Sequence, residues 1–391
     1  MSRGLSICVV GGGVAGTACA LRLAEAGHRV SLLAGPEPVA AGPTEEEIRY
    51  YALSPASLAA LDALGVAAEG CPYTDMRVWG SAIRDGLYFS LADAPPGSEA
   101  LGRIVGHGAL AAALRQRAES VLRVLPVSAS GVTLGDHGVE IDCADGDLLT
   151  ADLVVAADGA RSALREAAGI AITSWGYAQQ GIVANVQVAA GMQATAWQRF
   201  LPDGVLALLP LDARRASIVW SADGTRAETL MGMDPASFGA ALTEATQQVL
   251  GAITVESRRA AFPLQALQAE RYCGERLALV GDAAHVVHPL AGQGLNLGLA
   301  DAGALAMALA EHPLQLSRAL AAYSRRRRAA TADMIAVTDG LHRLFNRTGP
   351  EFAELRDAGM ALVNRIRPLR RLLVERALGG EAAPVPTPLA D

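Results

Sequence analysis

Three stretches of the chain carry residue types whose spacing fits nucleotide chemistry. The first is Gly11-Gly12-Gly13-Val14-Ala15-Gly16, which directly follows the apolar run Leu5 to Val10. The second is Asp158-Gly159-Ala160-Arg161-Ser162, after the apolar run Ala151 to Ala157. The third is Gly281-Asp282-Ala283-Ala284-His285, continuing through His288-Pro289-Leu290-Ala291-Gly292-Gln293-Gly294-Leu295-Asn296. In the first, Gly11 permits a tight turn, Gly13 lets the backbone approach a pyrophosphate, and Gly16 lets a helix pack closely on a strand. A helix that starts there turns free N–H groups and a positive dipole end toward phosphates. In the other two, an Asp sits just past a strand end, where open α/β sheets bind ligands. Asp282 can accept a hydrogen bond from a ribose or ribitol hydroxyl, and Asp158 can equally cap the helix after it. Gly292, Gly294 and the helix start beyond them bring N–H groups against an electron-rich ring or a phosphate.

These residues need elements to hold them. Leu5–Val10 reads as a buried strand, Thr17–Ala26 as a helix stopped by Gly27, and Val30–Leu33 as a second strand. Helices are also expected over Ala163–Ala168 and from about Leu297 to Ala310, with a strand over Leu277–Val280. Further strands, over Arg77–Leu91, Gly181–Val188, Ala207–Leu211 and Ala216–Ser221, read as a mixed or antiparallel sheet. One position breaks the nucleotide pattern. An acidic residue is expected about 20 positions after the glycines, at the end of the second strand. Ala34 stands there, and Gly35 and Pro36 leave the direction of Glu37 open. A lost hydrogen bond of about 1–3 kcal/mol predicts a loosely held nucleotide.

Composition narrows the function classes. At about 150 residues per domain, 391 residues give two or three domains. Hydrophobic residues at 51% and charged residues at 19% exclude a disordered chain. A formal net charge of −7 argues against non-specific nucleic-acid binding. There is no lysine, which excludes a Walker lysine, a Schiff-base lysine and a Ser-Lys dyad. The five cysteines are scattered and form no C-x-x-C pair, as expected of reduced thiols in a cytoplasmic protein. Leu5 to Leu23, with Arg3 before it and Ala18-Cys19-Ala20 within it, has the outline of a signal peptide. Gly11, Gly12, Gly13 and Gly16 interrupt the run and favour the nucleotide unit instead. His285 and His288 are spaced i, i+3, but no thiol or carboxylate cluster accompanies them, so no metal is expected. His285 is expected to orient its loop by hydrogen bonding.

Together, the glycine turn, the central Asp-Gly and the late G-D-A-A-H-x-x-H-P-x-x-G-Q-G-x-N block resemble the single-component FAD-dependent aromatic monooxygenases. Within them the chain is most similar to the ubiquinone-biosynthesis hydroxylases. Supporting stretches run over nearly its whole length: Arg49 to Ser57 with Leu61 and Leu64-Gly65, Ala196 to Phe200, Ala207 to Leu211, Ser217 to Trp220, Phe262 to Leu264, and Asn364 to Leu373.

The resemblance implies an α/β fold. A discontinuous Rossmann-like FAD domain would comprise 1–71, 100–174 and 273–345, with a β-sheet substrate domain in 72–99 and 175–272. A C-terminal helical segment would occupy 346–380 and a disordered tail 381–391. It implies FAD, NADH or NADPH as reductant, and O2 as oxygen donor, with the product a hydroxylated aromatic ring. By resemblance Gly11, Gly13, Val14, Ala15 and Gly16 meet the pyrophosphate, and Ala34 takes the place of the ribose carboxylate. Asp158, Gly159, Gly281 and Asp282 serve the cofactor, Asp282 through the ribityl chain. Pro289, Gly292, Gln293, Gly294, Leu295 and Asn296 run beside the isoalloxazine, with Pro289, Gly292, Gln293 and Arg49 on the catalytic side. Arg49 could also be a surface ion pair with Glu45, Glu46 or Glu47. His107 stands where relatives usually carry an Arg or a Glu-Asn pair, and is expected on the adenine side. Leu206, Leu208, Pro210, Val219 and Trp220 are expected to roof a dry substrate pocket, although Trp220 and Phe262 also suit an ordinary core.

From Met360 to Leu378, apolar residues alternate with Arg365, Arg367, Arg370, Arg371 and Arg376, and Pro368 favours two helical pieces. Such a helix can lie on an anionic membrane or pack on the flavin domain with its arginines in water. The run Arg325 to Arg328 reads as the solvated end of another helix. A prenylated phenol substrate fits a membrane-facing tail. The alternatives are a soluble aromatic metabolite, or a flavin-binding scaffold subunit of a biosynthetic complex without catalysis.

Overall fold

The computed structural model describes residues 4–36, 47–287, 293–345 and 359–377. Ser6–Val10 is a strand, buried throughout but for its first residue, and Val14–Glu25 a helix whose Thr17, Ala18, Cys19, Ala20, Leu21 and Leu23 are buried. Leu5 to Leu23 is thus a strand, a turn and a helix of the core.

The first sheet has six strands. Their order is Cys273–Gly274, Leu277–Leu279, Leu153–Ala156, Ser6–Val10, Arg29–Leu33 and Arg123–Leu125, and the last five run parallel. Strands buried on both faces read as unbroken apolar runs, which is how Leu-Val-Val-Ala and Leu-Ala-Leu appear here. This order places the residues after four strand ends side by side along one edge: Asp282, Asp158, Gly11 and Ala34. At about 4.8 Å between strands the row spans about 14 Å.

A nine-stranded sheet is the second large layer. Its central strands are Ile172–Val188, Arg215–Asp223, Gly204–Pro210 and Thr195–Leu201, continued by Asp75–Trp79 and Leu87–Ser90. One face packs on the helices Gly224–Gly232 and Pro235–Ala245 through Ile182, Ala184, Leu206, Leu208, Ile218, Trp220, Phe238 and Leu242. On the other face the Asn185 side-chain amide donates to the Glu47 carbonyl at 2.8 Å, just before the strand Tyr50–Leu53. At the far edge Ala260–Ala269 pairs with His285–Val286, so the late Gly-Asp block enters this sheet directly.

Two helical readings change. The helix Leu316–Phe345 runs through Arg325–Arg328 rather than ending there. Arg325, Arg326 and Arg328 are exposed but Arg327 is buried, because it meets a buried carboxylate described below. The tail is two helical pieces, broken at Ile366 and resumed over Arg367–Ala377. Among the described residues it packs on the nine-stranded sheet and the turn beside it. Met360 covers Val78, Phe200 and Val205, and Arg370 pairs with the buried Asp93 at 3.1 Å. Residues 381–391 lie outside the described residues. All five cysteines are free thiols.

Candidate active site

Gly11 has φ +121°, and a Cβ there would lie 2.2 Å from the Ala157 carbonyl oxygen. A Cβ on Gly16 would lie 2.1 Å from the Gly11 carbonyl oxygen. Both glycines are therefore required by the protein's own packing. Gly13 differs, because a Cβ there meets nothing within 4 Å. It faces open space at the start of Val14–Glu25, a helix with no side-chain N-cap. The first N–H groups of that helix are free for an anion.

Ala15 touches the other half of the cradle. Its Cβ would lie 3.2 Å from a Cβ on Gly281 and 3.1 Å from one on Gly298. The glycine turn, the late Gly-Asp loop and the helix Gly294–Glu311 thus meet at one point. Gly281 has φ +61°, the left-handed turn that presents Asp282. The Asp282 carboxyl is held above its ordinary value because surrounding protein strips it of water, while His285 and Arg49 pull it back. Asp158 both caps and waits: one oxygen accepts from the Leu164 N–H at 3.3 Å, and the other is buried with no partner among the described residues. Gly159, with φ +86°, has nothing within 4 Å of a Cβ.

Arg49 sits with its guanidinium over the Tyr51 ring, 5.4 Å from the centroid. Of the expected acidic neighbours, Glu45 and Glu46 lie outside the described residues, and Glu47 accepts from the Arg49 backbone N–H at 2.9 Å. His107 bonds the Tyr51 hydroxyl at 2.9 Å through Nδ1. Burial and Arg49 lower its pKa. Arg49, Tyr51 and His107 thus form one cluster. Asn296, buried in the first turn of Gly294–Glu311, donates to the Ala52 carbonyl at 2.9 Å and accepts from the Ser54 N–H at 3.0 Å. Gln293 is that helix's N-cap residue, and Gly294 and Leu295 are its first two positions. Pro289 and Gly292 lie outside the described residues, as do His288 and Leu290.

The sheet residues divide. Leu206, Leu208 and Trp220 are fully buried against the helices Gly224–Gly232 and Pro235–Ala245, on the face away from the cleft. Pro210, paired with Ala216, follows the same alternation. Strand alternation alone decides this: neighbouring residues point to opposite faces. Of the expected roof, only Val219 lies on the cleft face, with its pairing partners Ala207 and Val183.

Several supporting residues carry no motif. Asp301 is fully buried and accepts from the Gly281 N–H at 2.9 Å, from Arg327 at 2.5 Å, and meets His285 Nε2 at 2.7 Å. Burial works against its charge, but His285 and Arg327 outweigh that and hold the carboxyl below its ordinary value. Arg165, also buried, donates to the Ala283 and Ala160 carbonyls at 2.9 Å each and ties the Asp158 loop to the Asp282 loop. An Asp inside the otherwise apolar run Leu297 to Leu309 was the one available signal for Asp301.

FAD fits this arrangement: an open glycine at a helix start, an unpartnered buried carboxylate oxygen, and two Asp-bearing loops in one row. The comparisons agree. The model of the family described as FAD binding domain matches residues 5–338. Ubiquinone hydroxylase UbiL of Rhodospirillum rubrum is 35% identical over 384 residues, 95% of this chain and 89% of its own length. The 3-demethoxyubiquinol 3-hydroxylase of Escherichia coli is 34% identical over 392 residues, 95% of this chain and 98% of its own. Among solved structures, p-nitrophenol 4-monooxygenase PnpA from Pseudomonas putida superposes with a TM-score of 0.75 at 22% identity, covering 97% of this chain and 100% of that one. A probable FAD-dependent monooxygenase, pqsL from Pseudomonas aeruginosa, gives 0.76 at 23%, covering 91% and 99%. The two structures establish the fold.

Proposed function

The chain belongs to the FAD-binding-domain family of flavoprotein monooxygenases, and on that premise we propose that it hydroxylates the ring of a polyprenylphenol intermediate of ubiquinone biosynthesis. NADH or NADPH is the reductant. The balance is one ring C–H, O2, NAD(P)H and a proton in, and one ring C–OH, water and NAD(P)+ out. Bound FAD supplies hydride acceptance, O2 activation and oxygen transfer. The protein's own part is binding, orientation and exclusion of water.

Gly11, Gly13, Val14, Ala15 and Gly16 hold the pyrophosphate against the helix start. Asp282 accepts from a ribityl hydroxyl, and Asp158, with Gly159 beside it, offers its free oxygen to the same cofactor. Gln293, Gly294, Leu295 and Asn296 form the wall beside the ring system. Arg49, steered by Tyr51, closes the cleft on its polar side. Val219 and its neighbours supply an apolar floor. The observation that carries this reading is the single row of Asp282, Asp158, Gly11 and Ala34, together with two ubiquinone-pathway relatives aligned over 95% of the chain.

The tail supports peripheral contact with a lipid surface on the cytoplasmic side. Leu362, Ile366, Leu372 and Leu373 are exposed among Arg365, Arg367 and Arg371. Among the described residues no helix is long and apolar enough to cross a membrane. The test is purified protein, FAD, NAD(P)H and a short-chain prenylphenol, with product identified by mass. Reductant oxidation stimulated by the phenol, with ring hydroxylation, is expected. Oxidation and hydroxylation only with soluble, unprenylated phenols would replace the substrate, and FAD binding without turnover would indicate a scaffold.

A further inference from the structure

One side chain ties the nine-stranded sheet to the segment that carries Arg49. Asn185 stands on Ile172–Val188, opposite Ser217 and on the same face as Val183 and Val219. It is 4% exposed. Its backbone is fixed from the neighbouring chain: the Asn185 N–H donates to Ser257 Oγ at 2.7 Å, and its carbonyl accepts from the Glu256 N–H at 2.9 Å. Its side-chain amide reaches across to the Glu47 carbonyl. Glu47 passes the constraint on. One carboxylate oxygen accepts from the Arg49 N–H at 2.9 Å, and the other from the Gly108 N–H in the first turn of the helix His107–Val121. That helix has no side-chain cap at Gly106, so the Glu47 carboxylate satisfies an N–H that a capping residue would otherwise take. The Arg49 carbonyl in turn accepts from the His107 N–H at 2.9 Å. Arg49 is therefore held through its main chain on both sides, while its guanidinium stays over Tyr51 and acts on the Asp282 carboxyl.

The same amide carries a cost. Its oxygen is buried and has no hydrogen-bond partner among the described residues. A buried acceptor without a donor destabilises the fold. Turning the amide over does not help, because its oxygen would then face the Glu47 carbonyl and the two acceptors repel. An apolar side chain would spare the sheet that cost and lose only the tie to Glu47. Asn185 is thus explained by what it holds in place rather than by stability it adds. Resting on the hydroxylase reading above, we infer that Asn185 is a positioning residue: through the Glu47 carbonyl it fixes Arg49 at the polar side of the cleft, so that reductant use stays linked to ring hydroxylation. A displaced Arg49 opens that side to water. O2, NAD(P)H and a proton then give hydrogen peroxide and NAD(P)+, and the ring keeps its hydrogen.

The test compares the FAD-saturated wild type with Asn185→Ala, Asn185→Leu, Arg49→Ala and the double variant R49A/N185A. Leu branches at the same carbon as Asn and fills the space without a donor. Hydrogen exchange read by mass should be about tenfold faster over 47–53 in both Asn185 variants, the worth of one hydrogen bond. Exchange over Gly204–Pro210 should not change. The thermal midpoint of Asn185→Leu should match the wild type, because the unpaired oxygen goes with the tie. With 2-geranylphenol, hydroxylated product per NAD(P)H oxidised should fall at least about fivefold, with hydrogen peroxide making up the difference. R49A/N185A should be no more uncoupled than Arg49→Ala, since Asn185 acts through Arg49. An Asn185→Leu protein with the wild-type product yield overturns the inference, and so does a double variant in which the two losses multiply. Unchanged exchange over 47–53 overturns it without any turnover. Faster exchange in the variants of a wild type that hydroxylates no phenol upholds the tie and removes the hydroxylase reading.

Discussion

The two walls of the cleft solve opposite electrostatic problems. The proposed cofactor side is dense in charge: Arg49, Asp158 and Asp282 stand on it, and Asp301, Arg327 and His285 lie buried behind. The proposed substrate side, across four strands, presents Val183, Asn185, Ser217, Val219, Ala207 and Gln198 at its centre and keeps its charges, Arg215 and Asp223, at the strand ends. A dinucleotide brings phosphates and hydroxyls that need fixed partners, and a neutral aromatic lipid brings almost none. The charged wall is also held by long-range ties, since Asp301 reaches both the Gly281 backbone and Arg327. The centre of the sheet needs only register and packing, because each side chain's face follows from strand alternation.

The sharpest way to break this contrast is at Asp301. Asp301→Ala leaves Arg327 buried without its counter-charge and frees the Gly281 N–H, a loss of about 3–5 kcal/mol. Chemical denaturation should report it, with FAD content falling in parallel; a variant of wild-type stability would show the charged hub to be idle. The same group sets an acid limit. Its carboxyl is held low in the folded state, so the stability it contributes is present above about pH 4 and is lost as pH falls through the lowered value. Asp301→Asn should flatten that part of the acid-unfolding curve.

Leu208→Ala and Val219→Ala separate the two faces of the substrate sheet. Leu208 is fully buried in the far core, so its truncation costs about 2–5 kcal/mol. Val219, half-buried on the cleft face, should cost less in unfolding but change aromatic-substrate affinity. The reverse pattern would place the pocket on the other face. Gly13→Val should cost FAD affinity at least about a hundredfold, because the side chain fills the space that a phosphate needs. Apoprotein stability should stay within about 0.5 kcal/mol, since nothing lies within 4 Å of the new Cβ. Gly16→Ala, packed against Gly11, should instead destabilise the apoprotein. The smallest effect is expected at Ala34: Ala34→Glu restores an acceptor at the end of Arg29–Leu33 and should tighten FAD about tenfold by equilibrium titration. No gain would mean that another group already serves the ribose.

By itself the sequence determined the strand, glycine turn and helix at the start of the chain, the Asp-bearing strand ends, and the break in the tail before Pro368. Each depends on neighbours in the chain, through backbone freedom at Gly11, apolar runs, or a ring that fixes φ. Helix starts were less legible: Val14–Glu25 begins three residues before the expected Thr17, because capping there is left to the backbone. Only the tertiary structure decided what depends on partners far along the chain. Arg327 read as part of a solvated run until a carboxylate on another helix drew it inside. Leu206, Leu208 and Trp220 read as pocket because apolar alternation marks a buried face without saying which of two layers buries it.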